Sequence, residues 1–307
     1  MEASSASDPE RRRRRRTALV VALVANGAFL VVELVGGLVF GSLALLADAA
    51  HMVSDVVALS IALVAFGLAA RPASARHTYG LGRADVLAAQ LNAVVLLGAS
   101  GWIAFEAVGR LGDPVSIDGG GVAAVAAAGL AVNLASASLL GRSAGANLNL
   151  RAAFWHLMGD ALGSVAALVA GVAVLVAGAE WVDPAASLFV TALIVVSAVR
   201  LLRDSGRVLL EAVPAGIDVG DVEAALREAS GVDGVHHTHV WSLGSEQAAL
   251  SAHVQLTGVP SLHDAQARGD ELKAMLSKRF GIEHATLELE CHDCDEDPRF
   301  PDAGRAR

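Results

Sequence analysis

The stretch Leu43-Ala-Leu-Leu-Ala-Asp-Ala-Ala-His-Met-Val-Ser-Asp55 opens a mostly apolar run that continues to Ala69. About 20 such residues cross a bilayer as one helix. An ionised residue at the centre of such a helix costs about 2.5 to 3.5 kcal/mol on insertion scales, so Asp48, His51 and Asp55 need a reason to be there. Five further runs resemble this one in length: roughly Thr17 to Val39, Ala84 to Leu111, Val122 to Leu140, Ala152 to Ala177 and Pro184 to Leu202. The whole composition agrees, since 54% of the 307 residues are hydrophobic, only 18% are charged, and the mean hydropathy is +0.53. That is too apolar for a soluble domain of this length. An α-helical membrane protein with six transmembrane helices is predicted.

Arg11 to Arg16 before the first run imitate a secretory signal. The run from Ala18 to Phe40 is longer than a signal core and lacks a clear cleavage site, so an uncleaved first span is expected. Arg11 to Arg16, Arg71, Arg76, Arg83, Arg142, Arg151, Arg200, Arg203 and Arg207 all flank one face, against Arg110 alone on the other. By the positive-inside rule both termini are cytoplasmic. The links at Phe40-Gly41 and Ala179 to Asp183 are short, which predicts two antiparallel hairpins, the first span with the second and the fifth with the sixth. Gly119 to Gly121 reads as a loop.

After Leu202 the pattern changes to a helix (about Val219 to Ser230), strands at Val235 to Leu243 and Ala248 to Thr257, a helix at Leu262 to Phe280 and a strand at His284 to Cys291. This helix-strand-strand-helix-strand order suits a C-terminal cytoplasmic α+β domain, ferredoxin-like but lacking its first strand. The expected division is a cytoplasmic Arg-rich tail (1–16), a transport domain (17–203), a cytoplasmic domain for metal binding and dimerisation (204–295) and a disordered tail (296–307). From Asp204 onward there are 19 acidic and 9 basic residues. With no basic stretch beyond Arg11 to Arg16, nucleic acid is excluded as a partner. Two cysteines three positions apart exclude a disulfide scaffold.

In the second span His51 and Asp55 are four positions apart, and in the fifth His156 and Asp160 are too, which puts each pair on one helical face. Two such faces supply two imidazoles and two carboxylates, a tetrahedral set that suits zinc. The dication and two carboxylates also cancel in charge, which lowers the cost of a low-dielectric site. A single pair has a competing reading as a hydrogen-bonded tie between helices. Two identically spaced pairs favour a metal site. Asp48 faces the same way and serves as an auxiliary ligand, a proton acceptor or a helix-start residue. Asn26, Gln90, Asn92, Glu106 and Asn133 read mainly as hydrogen-bonding partners between helices. Glu33 differs, as a mid-span carboxylate with no neighbouring Arg or Lys. Gly36, Gly37, Gly98, Gly101, Gly163 and Gly171 read as close helix contacts.

The segments Leu46-Ala-Asp-Ala-Ala-His-Met-Val-Ser-Asp55, His77-Thr-Tyr-Gly-Leu-Gly-Arg83, Asn147-Leu-Asn-Leu-Arg-Ala-Ala-Phe-Trp-His-Leu-Met-Gly-Asp160 and Val235-His-His-Thr-His-Val-Trp-Ser-Leu243 resemble the cation diffusion facilitator family in its zinc-exporting branch. The resemblance covers almost the whole chain. It implies a transport site at His51, Asp55, His156 and Asp160, with His51 favouring zinc over other metals and cadmium as a lesser substrate. It further implies a homodimer in the lipid of a bacterial inner membrane that exchanges cytoplasmic zinc for external protons.

In the soluble domain His236 and His239 begin one strand, His253 lies on the next, and Glu290 and Cys291 end the last, so these residues converge. The resemblance implies zinc as a structural or regulatory ligand at a dimer interface, held at positions matching His236, His253, His263 and the region of Glu290. Cys291 and Cys294 would complete it, while His237 and His284 are its weakest members. Two departures stand out. The second membrane-proximal site of some relatives is reduced to His77, with Ser74 and Leu81 where partners would stand, and Gly141 to Arg151 lacks the long His-rich loop. Two other functions compete with export. An intramembrane zinc metalloenzyme would need a general base and an open metal position. A non-transporting metal sensor would suit an incomplete ligand set.

Overall fold

A computed structural model describes residues 9–68, 75, 77–80, 82–144, 148–244, 247–258 and 260–291. They fall into two compact units, one within Met1–Ala70 and Ala89–Leu202, the other within Arg71–Ala88 and Arg203–Arg307.

The first unit is built from six helices: α1 (Pro9–Phe40), α2 (Leu43–Leu68), α3 (Ala84–Gly112), α4 (Gly119–Ala144), α5 (Leu148–Ala177) and α6 (Val182–Leu209). Each is long and apolar enough to cross a membrane. Large apolar side chains such as Val39, Leu91, Phe105 and Val176 point away from the bundle, as lipid-facing residues do. Gly41, with φ at +73°, makes the tight turn between α1 and α2, which pack against each other as the short link predicts.

Two expectations are corrected. Gly119 to Gly121 form the first turn of α4 rather than a loop, because Asp118 caps it by accepting from Gly120 N and Gly121 N, both at 3.1 Å. The intimate neighbour of α5 is α4 rather than α6. Glycine explains this: a Cβ on Gly119 would lie 2.6 Å from Gly171 O, and one on Gly171 would lie 2.6 Å from Ala123 N, so only glycine permits the approach. Gly36, Gly37 and Gly163 are also at close contacts, whereas Gly98 and Gly101 face open space. Helix α6 instead joins α2 and α3, where Ala47, Leu96, Ile103, Val190, Ile194 and Ala198 form one buried cluster. A second cluster joins Ala44 and Leu45 of α2 to Val122 and Ala126 of α4 and Ala167 of α5.

The second unit contains α7 (Val219–Arg227), β1 (Val232–Ser242), β2 (Ala248–Leu256), α8 (Leu262–Phe280) and β3 (Ile282–Glu290). Asp218 caps α7 and Ser261 caps α8; Gly281, left-handed at φ +69°, ends α8 and leads straight into β3. The sheet order is β1-β2-β3, with β1 and β2 antiparallel and β2 and β3 parallel. In a complete ferredoxin-like sheet the first strand lies between these last two. Without it they pair directly, as the order predicted from sequence requires. Val222, Leu226, Leu272 and Leu276 of the helices cover one face, packing on Val235, Val240, Leu250 and Val254.

Val235 and Val240 are an odd number of positions apart and would face opposite ways in a regular strand. A β-bulge between His236 and His239 adds one residue, with His237 at φ +48°, and returns Val240 to the core. The opposite face is thereby left to His236, paired with His253, and His239, paired with Ser251.

Candidate metal centres

Helix α2 carries His51 and Asp55 on one face, and α5 presents Asp160 to it. His51 Nε2 stands 3.1 Å from Asp160 Oδ1. Ligand atoms of His51, Asp55 and Asp160 all lie within 4.8 Å of one another. Two donors bound at about 2.1 Å to one tetrahedral zinc are about 3.4 Å apart, so the trio needs only small adjustments to share an ion. One imidazole nitrogen with carboxylate oxygens is a borderline-to-hard donor set suited to zinc and its neighbours. His156 lies on α5 one turn before Asp160; its side chain is outside the described ones. The i, i+4 spacing puts it on the face of Asp160.

Asp48 does not join this trio. Its Oδ2 accepts from Ser164 Oγ at 3.3 Å, and its Oδ1 occupies the space a Cβ on Gly163 would need, 2.7 Å away. Glu33 of α1 reaches the Asp48 carboxylate, and the two are 1% and 4% exposed. Glu33 Oε2 accepts no hydrogen bond among the described residues. The carboxylate singled out in sequence thus meets a second acid. The sequence marks Gly163 only as a close helix contact, and Ser164 escapes it because a small hydroxyl in an apolar helix carries no chemical mark; its spacing of four from Asp160 is the available signal. Of the other polar residues, Asn92 joins α3 to α2 through Ser54 Oγ at 2.8 Å, whereas Asn26 bonds Ala22 O and Glu106 bonds Arg110, each in its own helix.

The second unit gathers His236, His253 and Glu290, whose ligand atoms also lie within 4.8 Å. His253 Nδ1 is 2.6 Å from Glu290 Oε1, His236 Nε2 is 3.4 Å from Glu290 Oε2, and the two imidazole centroids are 5.1 Å apart. Register explains the meeting. His253 is the direct partner of His236 on one side and of Glu288 on the other, and Glu290 follows two residues later on the same face. Glu288 adds a carboxylate 3.4 Å from His253 Nε2. Two nitrogens and a carboxylate are a fitting zinc set with one position left to fill.

Among the described residues, the remaining sequence candidates are not part of this trio. His239 is exposed beyond the bulge and, with His77, lines a cavity of about 980 Å³ within the same unit. His263 is exposed in the first turn of α8. Cys291 is exposed directly after Glu290, and Cys294 lies outside the described residues, as do His292, Ser74 and Leu81. Tyr79 stacks edge-on against His284 at 5.3 Å, and Arg83 pairs with Glu211 at 2.9 Å, so the His77 to Arg83 motif is engaged within this unit.

Six apolar helices with metal-ligand residues inside them, followed by an α+β domain with a second cluster, define an integral membrane protein built to handle cations. The chain belongs to the cation efflux family, the cation diffusion facilitators of the sequence resemblance. Residues 19–210 match the cation efflux transmembrane domain and 214–292 the cation efflux protein cytoplasmic domain. It is 41% identical to the zinc transporter ZitB of Escherichia coli over 90% of this chain and 88% of that one. It is 37% identical to the metal cation efflux system protein CzcD of Cupriavidus metallidurans over 91% and 87%. A cadmium, cobalt and zinc/H(+)-K(+) antiporter of Bacillus subtilis is 34% identical over 89% of this chain and 88% of its own. A solved metal-bound C-terminal domain of the CzcD transporter aligns with 24% of this chain and 99% of its own at 32% identity, with a TM-score of 0.22. The family is one of transporters rather than enzymes.

Proposed function

We propose that the chain exports divalent zinc, with cadmium as a lesser substrate, from the cytoplasm in exchange for protons. It does so as a homodimer in the bacterial inner membrane with both termini cytoplasmic. The observation that carries this reading is the approach of His51 to Asp160 across two membrane helices, with Asp55 in the same group. His156 completes the set. Imidazole must be neutral to bind metal, so protons arriving from the far side compete with zinc and favour its release. Residues 17–203 carry the ion, and the bundle presents the site alternately to either face.

The cytoplasmic part, residues 204–295, dimerises and holds zinc through His236, His253 and Glu290, a set that Cys291 and Cys294 complete. The names of ZitB and CzcD support zinc and metal efflux for this chain, and the antiporter's name supports exchange. Zinc flux into sealed vesicles containing only this protein tests the reading. Flux should appear, accelerate when an imposed pH gradient supplies counter-protons, and vanish in His51→Ala, Asp55→Ala, His156→Ala and Asp160→Ala. Zinc bound without flux would favour a sensor, and metal-dependent hydrolysis without flux an enzyme.

A further inference from the structure

From sequence, Asp183 merely closes the turn before the sixth span. In the structure it is the second residue of α6, 1% exposed, and it grips the start of α2. Ser42 Oγ donates to its Oδ1 at 2.5 Å, Leu43 N to its Oδ2 at 2.8 Å and Ala44 N to its Oδ1 at 3.4 Å. Ser42 Oγ in turn accepts from Leu45 N at 3.2 Å, and Ser42 O from Leu46 N at 3.3 Å. The first N–H groups of a helix have no partner within it, and inside a membrane no water replaces one. Here all are satisfied. The Asp183 charge also faces the positive end of α2 while lying in the first turn of α6, so two helix N-termini converge on one carboxylate.

A local residue would suffice if capping were the only need, and Ser42 already caps Leu45. Recruiting a carboxylate from 141 positions away adds a tether. It is one of several. Arg110 Nη1 of α3 donates to Gly41 O at 2.7 Å, and Asn92 of α3 holds Ser54, the residue before Asp55. The cluster around Ala47 ties α2 to α3 and α6 between those points. Asp160 stands on α5, whose intimate neighbour is α4. Eight residues of helix, about 12 Å at 1.5 Å per residue, separate the clamped Leu43 from His51. A helix of that length transmits a shift at its clamped end to its ligands.

We propose that Asp183 is a positioning residue of the transport step: by capping α2 from α6 it fixes where His51 and Asp55 stand against Asp160. This rests on the transport reading above.

The test uses the full-length protein in sealed vesicles, with Asp183→Asn and Asp183→Glu as the main variants and Asp183→Ala beside them. Asn keeps one oxygen acceptor and loses the second; Glu keeps the charge one methylene further out. For variants that melt within a few degrees of wild type, KM for zinc should rise about ten- to hundredfold, the cost of a ligand misplaced by up to an ångström. Ser42→Ala combined with Asp183→Asn should cost less than the two single losses added together, because both break the Ser42–Asp183 link, although Ser42→Ala also removes the acceptor of Leu45 N. Unchanged KM, with flux falling only as folded protein falls, would reduce Asp183 to a stabilising cap and overturn the proposal. Wild-type vesicles that move no zinc would overturn the transport reading instead. Cobalt(II) titration then decides the positioning claim, since a displaced His51 and Asp55 alter the tetrahedral cobalt absorption relative to wild type, whereas spectra identical in wild type and Asp183→Asn would refute it.

Discussion

Gly163→Ala places a methyl group against the Asp48 carboxylate beside the intramembrane site. The added Cβ would stand 2.7 Å from Asp48 Oδ1, where ordinary contact begins near 3.4 Å, so the carboxylate must retreat by the difference, about 0.7 Å. That retreat pulls on the bond from Ser164 Oγ, already 3.3 Å long. Losing a hydrogen bond to a buried acid costs about 1.5 to 3 kcal/mol. Overpacking adds about 1 to 3 kcal/mol, and the better helix propensity of alanine returns about 1 kcal/mol. A net loss of about 1.5 to 5 kcal/mol follows. The melting midpoint in detergent should fall by several degrees, and zinc flux per folded molecule should fall as well, because Asp48 lies one turn from His51. The double variant Asp48→Ala with Gly163→Ala removes the clash. It should be more stable than the two single losses added together, a coupling of about 1 kcal/mol or more for residues in contact. Strict additivity of the two substitutions, or a Gly163→Ala protein as stable as wild type, would refute the placement of the Asp48 carboxylate over Gly163.

His51→Asp replaces a borderline donor by a harder one and adds a negative charge, so manganese or iron flux should rise relative to zinc; unchanged zinc preference would assign selectivity to helix packing instead. Glu33→Gln can still hydrogen-bond Asp48 without a second charge, so its melting midpoint should equal or exceed that of wild type, while Glu33→Ala should lose about 2 to 4 kcal/mol to the cavity. A Gln variant as unstable as the Ala variant would mean that Glu33 needs its charge for a cation. In the soluble segment 204–307, zinc should tighten the dimer and raise its melting temperature by mass action, and Glu290→Gln should weaken both effects by removing the carboxylate that joins His236 to His253. Calorimetry showing no zinc binding would leave this segment as a dimerisation module.

What sequence disclosed and what it withheld divide along a physical line. Spans were legible because a helix in lipid must be apolar for its whole length, and His51, Asp55 and Asp160 were legible because ionisable groups there are exceptional. The same contrast flagged Glu33 but could not say that Asp48 faces it, since that depends on which helices meet. Helix pairing is written in absent side chains: Gly119 and Gly171 bring α4 against α5 through what they lack, so link length predicted the wrong neighbour for α5. In the soluble unit alternation gave the strands, but the bulge at His237 breaks the parity on which alternation depends. It keeps His236 beside His253 and Glu290 and puts His239 further along the same face, opposite Ser251. One inserted residue therefore lets a strand satisfy two demands at once, with Val235 and Val240 in one core and His236 and His239 on the opposite face, where His236 meets His253 and Glu290.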